Sequence, residues 1–129
     1  MHASGTFDVK LSPQSPAPGT EAARLGRLAI DKRFQGDLEA SSLGEMLSAG
    51  TEVPGSAGYV AIERVTGALH GRQGSFVLMH VGVMDRGTPS LSVSVVPDSG
   101  TGELVGIRGM LSIRIEQGRH EYGFEYSLD

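Results

Sequence analysis

Apolar residues recur at every second position over most of this chain, in runs fenced by glycine, proline and aspartate. That is the period of a half-buried strand and not of a helix. The first run, Ser4 to Leu11, sets Phe7, Val9 and Leu11 against Thr6, Asp8 and Lys10. The second, Arg24 to Phe34, places Leu28, Ile30, Lys32 and Phe34 on one face. After a Gln35-Gly36-Asp37 turn, the third places Leu38, Ala40, Ser42, Gly44 and Met46 opposite Glu39, Ser41 and Glu45. Leu43, Met46 and Leu47 would also suit a helix from Leu38 to Ala49, but every neighbouring run reads as strand. Further strands are predicted over Tyr59 to Leu69, Ser75 to Met84, Ser90 to Val96, Gly106 to Glu116 and Arg119 to Leu128, the last two joined by a short Gln117-Gly118 turn. Pro13, Pro16 and Pro18 make the stretch SPQSPAPGT an extended loop across one end, because proline has no amide hydrogen to give a ladder. Eight strands in chain order predict an all-β fold: one eight-stranded antiparallel meander β-barrel over residues 1–129, with an interior just filled by side chains or able to hold one small ligand.

The fifth strand departs from simple alternation. Val77, Met79, Val81 and Val83 on one face and Phe76, Leu78, His80 and Met84 on the other leave it apolar on both sides. A strand of that kind is covered twice, so its outer face calls for a loop, a helix or another subunit, and a homo-oligomer is expected. The 19 glycines, 5% aromatics and absence of tryptophan in 129 residues suggest a lean core with room for a small cavity. Net charge is −4 with the two signs interleaved, so the basic stripe that a nucleic acid demands is missing. No run approaches the ~20 apolar residues of a membrane helix, and the start MHASGTFDVK has no basic-then-apolar leader, giving the expectation of a cytoplasmic protein away from membranes. Without cysteine there are no disulfides and no thiolate metal sites.

Four segments, KRFQGDLEASSLGEML (Lys32–Leu47), GSFVLMH (Gly74–His80), VVPDSGTGEL (Val95–Leu104) and GRHEYGFEYSL (Gly118–Leu128), resemble the bacterial domain-of-unknown-function family 3224. The chain departs from the family pattern at Met79, where a polar residue is usual. The resemblance implies an eight-stranded barrel similar in architecture to plant allene oxide cyclase. It implies no reaction and transfers no catalytic residue, and shared architecture alone is only analogy for function.

The polar residues in phase with apolar ones are the candidates for chemistry. Lys32, Glu63 and His80 should turn inward and converge, with Tyr122 or Tyr126 adding a hydroxyl, to form a ligand-binding site for a small apolar or amphipathic molecule. Buried charges of this kind either shift toward neutrality or pair, and imidazole titrates near neutral pH. The same residues would suit isomerase or cyclase-like proton chemistry, with Glu63 or His80 moving a proton beside Lys32, or a polar knot that merely fixes strand register in a non-catalytic scaffold. A metal would need three or four convergent ligands. His2 falls at a terminus expected to fray and only His80 and His120 could join Glu63, so neither metal nor cofactor is expected. The SGTGEL loop lacks the lysine and following helix of a phosphate loop, and its glycines suit turns. Glu103 there is a loop carboxylate with Arg108 as a candidate partner. Asp37, Glu39 and Glu45 read as a solvated outer wall, and no Gly-x-Ser-x-Gly elbow is present.

Overall fold

Alternation decides which side chains meet inside, and in the computed structural model, which describes residues 1–19 and 24–128, it closes the chain into a barrel. The strands are β1 (His2–Gln14), β2 (Leu25–Gly36), β3 (Leu38–Gly50), β4 (Ala57–Leu69), β5 (Arg72–Asp85), β6 (Thr88–Val95), β7 (Ile107–Glu116) and β8 (Arg119–Leu128). Each is hydrogen-bonded antiparallel to its neighbours in chain order, β8 back to β1. Among the described residues there is no α-helix, and no helix is long and apolar enough to cross a membrane.

Strand ends differ from the sequence reading in instructive ways. β1 runs through Pro13 to Gln14, which pairs with Arg27. Because β8 accompanies β1 only from His2 to Phe7, the rest of β1 has a free edge, the position where a strand tolerates proline. The predicted loop is accordingly shorter at its start, and its last residue, Thr20, lies outside the described residues. His2 does not fray: it is within β1 and paired with Glu125, while the Met1 amino group donates to the Tyr126 carbonyl at 2.7 Å.

The two ends of the barrel are unlike. At one end Leu38, Leu69, Leu104 and Ile107 are at most 1% exposed and form a plug. Leu104 belongs to a single 3-10 turn, Gly102–Leu104, in the connection between β6 and β7. That connection runs along β5: Val96 N donates to Val77 O at 2.9 Å, Thr101 N to Ser75 O at 2.8 Å and Val77 N to Ser99 Oγ at 3.0 Å. The SGTGEL segment is thus bonded to strand, and Glu103 accepts from the Gln73 amide at 3.0 Å instead of pairing with Arg108. At the other end, inward-facing Leu11 and Leu91 remain 45% and 43% exposed, and Val9, Leu28, Met46, Tyr59 and Ile113 are half-buried. This end is an apolar mouth.

The wall also has one weak seam. β6 and β7 share a single bridged pair, Ser94 with Met110, whereas β3 and β4 pair from Leu38–Leu69 through Gly50–Ala57. Toward the mouth the facing edges of β6 and β7 go unbonded, and residues 88–92 and 114–116 are exposed. Amides on these edges open without breaking a ladder. On β6 that is Leu91, since Pro89 has no amide and Thr88, Ser90 and Ser92 fall at the bonded positions of the β5 ladder. In hydrogen exchange followed by NMR the Leu91 amide should therefore exchange roughly tenfold or more faster than the centre of β4. Equal protection around the wall would show that the seam is closed in solution.

Candidate functional site

Four adjacent strands each send one polar side chain into the middle of the barrel: Lys32 from β2, Ser42 from β3, Glu63 from β4 and His80 from β5, all buried. Register explains the meeting. The tight β2–β3 turn sets Lys32 opposite Ser42, and β4 sets Glu63 opposite Gly44 and Ala61 opposite His80. Gly44 is required there, because a Cβ at that position would lie 2.1 Å from the Ile62 carbonyl oxygen and 2.6 Å from Glu63 Cα.

Glu63, with no exposed surface, is the hub. Lys32 Nζ donates to Oε2 at 2.8 Å, His80 Nε2 lies 2.5 Å from the same oxygen, and Ser42 Oγ donates to Oε1 at 2.7 Å. Burial alone would push this carboxyl up, but the His80 hydrogen bond, the Lys32 charge and the Lys32 and Ser42 hydrogen bonds outweigh it and hold the group down at about 2. The Lys32 ammonium also lies 4.9 Å from the Phe7 ring centre and 5.5 Å from that of Phe34, a cation–π setting that stabilises charge away from water. Nδ1 of His80 takes part in no hydrogen bond among the described residues, yet no sealed side-chain nitrogen or oxygen there lacks a partner. This nitrogen therefore borders space that a solvent-sized group can reach.

The structure brings together Lys32, Glu63 and His80 and leaves the two nominated tyrosines elsewhere. Tyr122 accepts from the Leu38 amide at 2.9 Å and donates to the Gln35 carbonyl at 3.0 Å, pinning the β2–β3 turn. The Tyr126 hydroxyl is bonded to His70 Nδ1 beside the plug. His120 packs its ring on Phe7 at 5.1 Å, and no three His, Cys, Asp or Glu side chains gather as a metal site among the described residues. Ser42 and Tyr59 are the residues that sequence reasoning passed over. Ser42 was in phase with Leu38 and Met46, and its hydroxyl among apolar neighbours was the available signal. Tyr59 lies over Gly82, where a Cβ would fall 2.1 Å from its ring, and its phenol is pushed up by burial and by the negative charge of Glu63.

A carboxyl that ionises near 4.5 when unfolded and near 2 when folded binds fewer protons in the folded chain between those values. Its stabilisation is whole above about pH 5 and is lost as pH falls through 2. Glu63→Gln should flatten the fall of Tm across that window. It should also cost roughly 3–5 kcal/mol at neutral pH by leaving Lys32 buried without its counter-charge, most of which Lys32→Met with Glu63→Met should restore. Thermal and chemical denaturation of the wild type and the two variants at pH 7 and pH 3 check both outcomes.

With the geometry established, comparison with known proteins places the chain. No curated protein matches it. A crystal structure of a protein of unknown function from Shewanella oneidensis MR-1, itself from the DUF3224 family, superimposes with a TM-score of 0.95 at 53% identity, covering 100% of this chain and 97% of that one. The model of DUF3224, described as a protein of unknown function, matches residues 3–126. Barrel and sequence together establish that this chain belongs to the DUF3224 family.

Proposed function

We propose that the barrel binds a small amphipathic molecule with an anionic head, its tail in the apolar mouth and its head against Lys32 and His80. The observation that carries this reading is the position of the charged cluster: Lys32 and His80 are held on Glu63 one layer, Ile30 and Ala61, below inward-facing apolar residues that stay half exposed at one end only. Lys32 has three donors and gives one to Glu63. The second ring nitrogen of His80 has no protein partner among the described residues. Lys32 can therefore donate to a carboxylate without dismantling the cluster, and His80, whose Nε2–H is given to Glu63, can join it through Nδ1 only as the imidazolium. Leu11, Leu28, Met46, Leu91 and Ile113 supply the apolar lining that a binding site for such a molecule needs.

Binding is favoured over proton-transfer chemistry by the state of Glu63. A carboxylate held at about 2 and bonded by three neighbours is too weak a base to take a proton at neutral pH. It acts instead as the hydrogen-bonded counter-ion of Lys32 inside the barrel.

Decanoate and decanol make a matched pair of probes. Calorimetric titration should show decanoate binding one to one and more tightly than decanol. Lys32→Met should weaken decanoate about tenfold or more, the worth of one hydrogen bond to a charged group, while Glu39→Gln on the outer wall leaves it unchanged. Acid and alcohol binding equally, or an equal response of Lys32→Met to both, would remove the head-group anchor. Binding of neither would remove the proposal.

A further inference from the structure

The outer face of β3, β4 and β5 is apolar where an isolated barrel should be polar. Leu47, Val60 and Val81 lie in one row of the register, Ile62 and Met79 in the next, and Val83 beside them, with Leu43 and Met110 at the margins. All are roughly half exposed or more. Among the described residues neither a loop nor a helix covers them; the third cover foreseen for the fifth strand is another subunit. We infer that this face is the interface of a homo-oligomer, built by a second copy of the same chain packing face to face.

Area is the first support. At roughly 100 Å² for each half-exposed aliphatic side chain, the patch presents on the order of 800 Å², above the few hundred Å² found on most monomers. That is the share one partner contributes to a standard stable interface, about 800 Å². At the mouth end the patch continues into a groove of about 500 Å³ between Leu25, Leu47, Val60, Val83 and Pro16, a concavity into which facing side chains can set.

Charge is the second. Within the patch Glu45 is already bonded to Arg27 at 2.6 Å, and Arg64 reaches Ser75 Oγ at 3.3 Å. Arg64, opposite Leu43 at the margin, is the one charge of the patch without an oppositely charged partner among the described residues, and no cluster of either sign is there to select a charged partner. The outward-facing residues of β3, β4 and β5 also include no aromatic side chain of the kind a membrane-surface patch uses. A two-fold axis sets like against like, which aliphatic side chains accept and net charge does not. The remaining wall carries Asp8, Lys10, Arg114, Arg119 and Glu121, all facing water, so association is confined to one face and closes instead of polymerising.

Sedimentation of the full chain at micromolar concentrations should give at least twice the 13.5 kDa chain mass. Val81→Glu should sediment as a monomer with an unchanged far-ultraviolet spectrum. Because an exposed strand position tolerates threonine, the milder pair Ile62→Thr with Val81→Thr should raise the dissociation constant at least tenfold and keeps the test decisive if the glutamate variant misfolds. Lys10→Glu on the charged wall should leave the mass unchanged. A wild-type monomer throughout the range, an oligomer indifferent to both patch variants, or a monomer that instead floats with neutral phospholipid vesicles would each overturn the inference.

Discussion

A carboxylate with no water around it must find all its compensation in the protein, and Glu63 finds it on three other strands. The requirement that Lys32, Ser42 and His80 reach the same two oxygens fixes β2, β3, β4 and β5 relative to one another. A slip of one residue in any of these ladders would turn its polar group out to solvent and strand the others. The apolar interior tolerates more variation than this, since Val65, Leu78 and Val93 could repack around small shifts, whereas hydrogen-bond geometry does not. The cluster is thus at once the device that specifies register and, among the described residues, the concentration of charge inside the barrel. Those two roles reinforce each other: a site that must be positioned to a few tenths of an ångström is made of the groups that do the positioning.

Strand phase was legible in the chain, and with it the eight strands, their order and the inward orientation of Lys32, Glu63 and His80. Phase tells inside from outside because the side-chain period is two. It does not tell how high along the barrel axis a residue sits, since height depends on the stagger accumulated from strand to strand on closure. Tyr122 and Tyr126 illustrate the difference. Both face inward as expected, but the pairing of β8 with β1 carries Tyr122 to the β2–β3 turn and Tyr126 to the plug. Ser42 shows the converse case, where a short turn of known length makes its partnership with Lys32 a matter of counting. The strength of the β6–β7 seam was beyond sequence reading, because the connection that replaces the missing ladder pairs with β5 through Ser99 and Thr101, residues with no strand pattern.

The outer wall divides its labour. Arg114, Glu121 and Arg119 pair among themselves on β7 and β8, an exposed network whose contribution to stability is small. Its value lies in hydration, keeping one half of the surface wet while the aliphatic half on β3 to β5 stays dry enough to be buried. The interior cluster and the aliphatic wall sit on the same strands. β4 presents Glu63 inward and Ile62 outward from adjacent residues, so anything that reorients one is felt by the other.

A hoop joined firmly at seven places and barely at the eighth behaves as a split ring. Its bore can widen by parting the lips between β6 and β7 while every other ladder keeps its length, so girth is adjustable at small cost even though the cluster beneath, anchored on the opposite arc, holds still.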